Sequence, residues 1–440
     1  MHIIREDMGT NFRFSGIHCA SFFGIVEILV ALIEKGSSDI DKGDCWGHTP
    51  LAWAAKNGHD GVVGVLLGHE EVNPNRTDNW GQTPLLHAAY EGHEAVVEIL
   101  LERYEVDPDQ PERWGKTPLL HAAYKGNAEV VKALLRRREV SPDKPNDAGR
   151  TPLSHAAQSG HAGLVQMLLE LEEVNSERPD NCGRTPLWYA AGGGCEKVAK
   201  ILLGREEVKP DKPDDHGNTP LSIAAQGGHS DIVKLLLGRG EVNPDKPDNS
   251  GRAPLWYAAG GGYEEVVEML LGQEGIDPDK TDNDCRAPIS FAAWGGFEGV
   301  VKILLAQEGV NPDKPDKRGR TPLWYAAGGG NEAVVKMLLE KEGVNPDNLA
   351  NTGETPLIYA ALEGHEGVVK ILLKRGEVNP NKVDNDGDTP LSCAVQRGHE
   401  RVAEILLRLE EVNSYNQGND GKTPLMHAAQ HGDQRMIELL

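Results

Sequence analysis

The chain contains few cysteines, few aromatic residues and fewer basic than acidic residues, and the shortages of cysteine and of basic residues each exclude a class of protein or partner. Only six of its 440 residues are cysteine, and aromatic residues make up 5%. The cysteines show no Cys-x-x-Cys pair and no regular spacing, so a secreted disulfide scaffold is not indicated. Lysine and arginine total 45 against 68 aspartate and glutamate, a formal charge of −23. Because such a surface repels phosphate backbones and anionic lipids, we expect neither nucleic acid nor a membrane as partner.

The N-terminal segment also lacks a long apolar run. MHIIREDMGTNFRF has no signal-peptide core, and the apolar stretch from Ile17 to Ile33 is interrupted by His18 and Glu27. Together with the cysteine pattern, this predicts an intracellular protein, in the cytoplasm or the nucleus.

What the sequence does contain is a repeat of 34 residues. Thr-Pro-Leu or a close variant begins, without a change of register, at Thr49, Thr83, Thr117, Thr151, Thr185, Thr219, Ala253, Ala287, Thr321, Thr355, Thr389 and Thr423. One further step towards the N-terminus reaches Ser15, which opens a degenerate unit without the proline. The period predicts a lead segment (1–14), a degenerate capping repeat (15–48), eleven repeats (49–422) and a truncated C-terminal repeat (423–440).

Each unit predicts two short antiparallel helices followed by an extended finger. Threonine is the N-cap, proline takes the first helical position, and Leu-x-x-Ala-Ala follows at helical spacing. A glycine that recurs in all thirteen units ends the first helix. The second helix carries Val-Val and Leu-Leu on one face, and the remainder, of the type GVNPDKPDNSG, predicts a finger with a tight turn.

These residues resemble the ankyrin-repeat signature, Gly-x-Thr-Pro-Leu-x-x-Ala-Ala-x-x-Gly-His followed by Val-Val-x-x-Leu-Leu. The VNPDKPDN finger, and the Trp, Tyr or His before Ala-Ala, are similar to ankyrin arrays of filamentous fungi. The resemblance covers almost the whole chain. It implies an all-α ankyrin-repeat solenoid of about 13 helix-turn-helix units with extended finger loops, in which the first-helix ends face a concave groove.

The resemblance also implies a function. We expect a monomeric, non-enzymatic scaffold that binds a protein partner through its concave face and finger tips, and the acidic charge favours a partner with basic segments. The alternative is a sensor or regulatory arm of a larger signalling or enzyme complex whose effector domain is on another chain, since similar fungal arrays often follow a nucleotide-binding signalling domain.

No set of residues in the sequence indicates catalysis, a cofactor or a metal. Catalysis needs unlike groups that converge on one atom, whereas ten of the sixteen histidines hold repeat-fixed places and are predicted to be scaffold. Cys45 and His48 have a ligand-like spacing, but no second pair completes a zinc site. The segment from Asp384 to Asp388, DNDGD, lacks the glutamate that closes a calcium loop. We therefore expect no enzyme activity and no cofactor or metal.

A glycine triplet follows Trp-Tyr-Ala-Ala in three units. A phosphate-binding loop is not indicated, because the triplets close a helix, where the backbone is partially negative. Each tryptophan lies four residues before a glycine, which predicts that the glycine makes room for the indole: Trp188 with Gly192, Trp256 with Gly260, and Trp324 with Gly328. In another unit the sizes are reversed, with small Ser290 and large Trp294. Two interpretations stay open for these tryptophans: packing between neighbouring helices, or spaced anchors for an extended partner.

A second group of aromatic residues lies in the N-terminal third. Trp46, Trp80 and Trp114 occupy the same place in three successive fingers, where we expect them to be exposed. Tyr90 and Tyr124 fall at the groove end of the first helix. The residues predicted to surround this group are Lys56, Lys116, Lys125 and Asp78. The composition is typical of an interface hot spot, so these five aromatic residues are the first candidates for partner binding. The alternative is that each tryptophan lies flat over the adjacent finger.

One unit is predicted to be weak. Cys285 replaces the turn glycine, and Ala287 removes the capping hydroxyl. Because each change removes a local preference, the sequence predicts a soft segment at residues 280–296.

Overall fold

The computed structural model describes residues 14–36 and 39–440. Regular structure within these ranges is entirely α-helical, arranged as thirteen helix pairs at the 34-residue period. The predicted all-α helix-turn-helix array is therefore confirmed. Except for Phe14, the predicted lead segment lies outside the described residues. The chain divides into two compact units, Met1–Asp215 and His216–Leu440.

The first unit contains twelve helices in the residues described. They are α1 Gly16–Phe23, α2 Val26–Glu34, α3 Pro50–Lys56, α4 Asp60–Leu67, α5 Pro84–Glu91, α6 Glu94–Leu101, α7 Pro118–Lys125, α8 Ala128–Leu135, α9 Pro152–Gln158, α10 Ala162–Leu169, α11 Pro186–Gly192 and α12 Glu196–Leu203.

The second unit continues the same alternation of first and second helices. Its helices are α13 Pro220–Gly227, α14 Ser230–Leu237, α15 Pro254–Gly261, α16 Glu264–Leu271, α17 Pro288–Gly295, α18 Glu298–Leu305, α19 Pro322–Gly328, α20 Glu332–Leu339, α21 Pro356–Glu363, α22 Glu366–Leu373, α23 Pro390–Gln396, α24 Glu400–Leu407, α25 Pro424–His431 and α26 Gln434–Leu439.

The first helix of a repeat begins and ends as the sequence predicts. In α3, the Thr49 hydroxyl accepts a hydrogen bond from the backbone N–H of Ala52 at 3.0 Å, and Pro50 holds the first helical position. All thirteen predicted cap glycines have a positive φ, for example +75° at Gly58. The left-handed backbone turns the chain sharply into the second helix, which is why glycine is needed there.

Apolar side chains between neighbouring helix pairs form the core. Within the first unit, α3 packs on α5, and α4 packs on α6. Leu51 and Ala55 from the first helix, with Val62, Val63 and Leu66 from the second, are fully buried. Burying one such Val or Leu side chain contributes about 1.5–3 kcal/mol. Because each repeat contacts mainly its neighbours, stability is set repeat by repeat.

Most fingers end in a tight turn that is anchored on a carboxylate side chain, five residues before the helix-capping position. We call this side chain the finger carboxylate. In one finger of the first unit, Asp78 Oδ1 accepts the backbone N–H of Trp80 at 2.8 Å and of Gln82 at 2.9 Å. Neighbouring fingers are also linked, since the N–H of Asn79 donates to the carbonyl of Trp46 at 2.9 Å.

The repeat that carries Cys285 departs from this pattern in its backbone. Cys285 has a φ of 60° and is the one non-glycine residue with a positive φ in the described ranges. Ala287 gives α17 no side-chain N-cap bond. A left-handed backbone costs about 1–2 kcal/mol for a residue with a Cβ atom. Lower local stability of residues 280–296 therefore stays a prediction.

We expect Ala287→Thr to stabilise the start of α17 by about 1 kcal/mol, because threonine restores the N-cap hydrogen bond. Hydrogen exchange followed by mass spectrometry should show greater protection of residues 288–296. Ala253→Thr is the matched control, since it restores the same bond in a repeat that keeps its turn glycine, Gly251.

The unmodified chain supplies the decisive comparison. Residues 288–296 should exchange faster than residues 322–330, the corresponding segment of the repeat that begins at Thr321. Equal protection of the two segments would contradict the soft segment.

Candidate functional site

The three finger tryptophans line one cavity of about 450 Å³ in the first unit. We call it the aromatic cavity; its lining is Trp46, His48, Trp53, Lys56, Trp80, Gln82 and Trp114. Trp114 is 56% exposed and Trp80 is 38% exposed, as predicted. Trp46 is only half-buried rather than fully exposed, and its ring meets His48 edge-on with 6.5 Å between centroids. The spacing of 34 residues thus brings all three indoles to one place.

Sequence reasoning did not single out Trp53. It lies on α3, immediately before Ala-Ala, and its Nε1 donates to the finger carboxylate Asp44 at 2.9 Å. Its ring lies 4.7 Å from that of His48, centroid to centroid. The signal that could have identified it is the aromatic residue that recurs before Ala-Ala in other repeats.

Two imidazoles meet one carboxylate beside the aromatic cavity. The Nε2 atom of His87 donates to Asp78 Oδ2 at 3.1 Å, and Nε2 of His48 lies 3.5 Å from the same oxygen. Asp78, which is predicted to surround the aromatic residues, lies beside the aromatic cavity but is only 6% exposed, because its oxygens bind the turn and the histidine. Burial, reinforced by His87, lowers the pKa of His48 to about 4.

These three residues could hold a divalent metal. Their ligand atoms lie within 4.8 Å of one another, an arrangement not repeated elsewhere among the described residues. Neutral imidazoles and a carboxylate suit zinc, and His48 also lines the aromatic cavity. The Asp78–His87 contact has scaffold counterparts, such as Asp44 with Trp53, so His48 is the member that sets the cluster apart. Sequence reasoning treated the two histidines separately because only stacking of the repeats brings them together.

The two candidate tyrosines line a second cavity of about 500 Å³. We call it the cationic cavity; its lining is Tyr90, Lys116, Leu120, His121, Tyr124, Asn146, Ala148, Arg150, His155 and Gln158. Tyr90 is half-buried and Tyr124 is 46% exposed. The tyrosines and the tryptophans, which the sequence predicts as one group, thus line two different cavities. Lys125 lies over the Tyr90 ring at 4.2 Å.

Two histidines of the cationic cavity are held neutral. Burial lowers the pKa of His121 to about 4, and burial together with the charges of Arg150 and Lys116 lowers the pKa of His155 to about 3. Glu112 Oε1 lies 3.3 Å from His121 Nε2. Among the residues that the structure describes, His155 has no comparable carboxylate partner, and both of its ring nitrogens are buried without a hydrogen bond.

The tryptophans of the glycine-triplet units are mostly packed. In the second unit, Trp324 is 7% exposed and stacks on Tyr359 at 3.9 Å between centroids, and Trp256 packs on Phe291 at 4.2 Å. Trp188 in the first unit is half-buried, whereas Trp294 is 59% exposed. The contacts of Trp256 and Trp324 favour packing between neighbouring helices. A role in partner binding stays a prediction for these four residues, and Trp294 is the most accessible of them.

The steric explanation of the glycines four residues after tryptophan is wrong at Gly260. A Cβ atom there would meet Phe291 of the next repeat at 3.6 Å, with no atom of Trp256 within 4 Å. At Gly328 a Cβ atom would collide with the ring of Tyr359. At Gly328 the missing side chain therefore makes room for the aromatic ring of the following repeat, whereas at Gly260 a Cβ atom would make only an ordinary contact.

The histidines that follow the cap glycine are confirmed as scaffold. Within the first unit, the Nε2 atom of His59 donates to the carbonyl of Phe22 at 2.9 Å, and His93 donates to the carbonyl of Lys56 at 3.0 Å. Each imidazole thus satisfies a carbonyl at the end of the first helix of the preceding repeat.

The family model described as ankyrin repeats (3 copies) matches six stretches of the chain. They are residues 3–78, 62–146, 119–214, 206–282, 289–384 and 376–440. No curated protein matches the chain significantly. None of the helices in the described ranges has both the length and the apolar character that a bilayer span requires.

We expect the first unit to lose stability as the pH falls from 7 to 5, in part through His155. Its folded-state pKa, about 3, lies below the ordinary value of 6.5, so below about pH 6.5 the unfolded chain takes up a proton that the folded chain does not. The contribution of His155 is complete above pH 6.5 and is lost progressively below it.

His155→Phe should reduce this loss by about 1–2 kcal/mol, because phenylalanine does not titrate. Phe291 occupies the equivalent position in another repeat, so the ring is compatible with the fold. Urea unfolding followed by circular dichroism at both pH values measures the effect. His431→Gln, at an exposed histidine, should keep the original pH dependence. If His155→Phe kept it as well, the assignment to His155 would be wrong.

Proposed function

Because the chain belongs to the ankyrin-repeat family, whose members are generally protein-interaction modules, we propose that it is a non-enzymatic scaffold that binds a protein partner. The partner would dock on the surface formed by finger turns and first helices, which the family resemblance identifies as the concave face. The aromatic cavity would hold its anchoring side chains.

The high tryptophan content of the aromatic cavity is the main support for this proposal. Four of the eight tryptophans of the chain line it, although aromatic residues are only 5% of the sequence. Trp80 and Trp114 expose much of their ring surface to solvent. Exposed tryptophans around a concave, half-apolar site are the residues that most often dominate binding energy at protein interfaces.

The charges of the chain support a partner that is basic overall. The net charge of −23 acts over long distances and increases the rate of encounter with a basic protein. At contact distance the chemistry is different, since Lys56 is the only charged side chain in the lining of the aromatic cavity. Long-range attraction and aromatic anchoring would therefore act at successive stages of binding.

Affinity capture with the intact chain and a Trp80→Ala, Trp114→Ala double variant tests the proposal. Truncating a hot-spot tryptophan costs about 2 kcal/mol or more, so the affinity of the captured partner should fall by at least about 30-fold. The thermal unfolding midpoint should change less than the affinity, because Trp114 is 56% exposed and Trp80 is 38% exposed.

Tyr104→Ala is the control. It truncates an aromatic side chain of the first unit that is 92% exposed and lines neither the aromatic cavity nor the cationic cavity, and it should leave capture unchanged. Identical captures by the intact chain and the double variant would refute the role of the aromatic cavity. A lost partner that proves to be a signalling ATPase or an enzyme subunit would favour the role of a regulatory arm.

A further inference from the structure

In three fingers the carboxylate accepts hydrogen bonds from two side chains that follow it in the sequence. In the second unit, Asp248 accepts hydrogen bonds from Arg252 Nε at 3.0 Å and from the Tyr257 hydroxyl at 2.6 Å. Arg252 lies four residues and Tyr257 nine residues after the carboxylate. The same three residue types make the same contacts at Asp180 in the first unit and at Asp316 in the second.

One repeat of the first unit lacks this carboxylate. Asn146 takes its position, and its Oδ1 atom accepts the turn N–H groups of Ala148 at 3.1 Å and Arg150 at 2.9 Å. The turn is therefore preserved. Because two backbone donors fix Oδ1 as the acceptor, the amide nitrogen occupies the place of the second carboxylate oxygen. An acceptor has been replaced by a donor at that point.

The residues four and nine positions later, Arg150 and His155, have consequently lost their acceptor. Within the part of the chain that the structure describes, Arg150 Nε and both ring nitrogens of His155 are buried without a hydrogen-bond partner, and His155 is only 5% exposed. Arg150 contacts the Gln158 side-chain oxygen and lies over the Tyr189 ring at 4.3 Å. It forms no ion pair among the residues that the structure describes. Buried polar groups in this state are rare in folded proteins and indicate an unoccupied site or a bound water.

Two other repeats also lack the finger carboxylate, but neither leaves a cation unpaired. In the repeat with Gly418, Lys422 and His427 both lie within 3.5 Å of Asp420. In the repeat with Ala350, the residue four positions later is Glu354, which needs no carboxylate. Within the described ranges, the Asn146 repeat is therefore the exception.

Arg150, His155 and Asn146 all line the cationic cavity, together with Lys116. No aspartate or glutamate is part of that lining, although the chain is strongly acidic. Two carboxylates act electrostatically on groups of the lining, Glu112 on His121 and Asp180 on Arg150. Both are already engaged, Glu112 with Gln82 and His121, and Asp180 with Arg184 and Tyr189. The cavity of about 500 Å³ is large enough for an anionic group.

We propose that the cationic cavity binds an anionic oxygen group, a carboxylate or a phosphate, in place of the missing finger carboxylate. Arg150 is the principal ligand, because guanidinium forms strong charge-assisted hydrogen bonds with both groups. Lys116 supplies a second positive charge, and His155 and Asn146 donate neutral hydrogen bonds. The site is separate from the aromatic cavity and does not rest on the proposed protein partner.

Titration calorimetry of the full chain with inorganic phosphate, and separately with acetate, tests the site at constant ionic strength. We expect saturable binding with one site per chain and a rise in the thermal unfolding midpoint with anion concentration. Stronger binding of phosphate would indicate a phosphorylated ligand, whereas binding of acetate at least as strong would indicate a carboxylate.

Asn146→Asp is the sharpest variant, because it restores the carboxylate that neighbouring repeats possess. Without anion, it should raise the unfolding midpoint, since Arg150 and His155 regain their acceptor. It should also lower the association constant for the anion by at least about tenfold, because the internal carboxylate occupies Arg150 and repels the ligand. These opposite effects distinguish loss of the site from misfolding.

Two further variants complete the test. Ser141→Asp adds the same charge at an exposed position of the same finger, where the preceding repeat has Asp107, and should keep anion binding. Arg150→Gln should abolish it. The proposal would be overturned if neither anion bound saturably, or if Asn146→Asp bound the anion as well as the unmodified chain. Neither result depends on the capture of a protein partner.

Discussion

The finger carboxylate is the interaction that organises the turn and the start of the first helix in most repeats. One of its oxygens accepts the turn amides, and the other binds side chains that lead into the first helix, as Asp248 does with Arg252 and Tyr257. The carboxylate is buried but not isolated, and its hydrogen bonds offset the loss of hydration. The carboxylate therefore fixes the turn, the start of the first helix and the side chain before Ala-Ala relative to one another.

The candidate sites arise where this interaction is altered. At Asp78, His48 of the preceding finger joins His87, so one carboxylate serves two imidazoles beside the aromatic cavity. At Asn146 the carboxylate is absent, and Arg150 Nε and the ring nitrogens of His155 have no hydrogen-bond partner among the residues that the structure describes. In a repeat protein, the regular units define what is scaffold. A repeat that differs from this pattern and leaves polar groups without partners is therefore a candidate binding site. The neighbouring repeats show which contacts the same positions make when they only stabilise the fold.

The distribution of aromatic residues follows the same logic. Trp256 and Trp324 contact rings of the following repeat and help to hold neighbouring repeats together. Trp80 and Trp114 lie on the fingers, where little surface is available to cover them, and they stay exposed. A tryptophan's position within the repeat thus decides whether its apolar area contributes to folding or is left accessible for binding.

The sequence by itself determined the period, the helix pairs and their ends, because Thr-Pro caps, left-handed glycines and apolar spacing act over a few residues. It also placed Trp80 and Trp114 on the fingers. Only the tertiary structure brought His48 to Asp78, assigned Tyr90 and Tyr124 to a separate cavity, and showed that Gly328 makes room for Tyr359. These contacts join residues of adjacent repeats, so they depend on how the repeats stack, and one repeat's sequence does not encode that stacking.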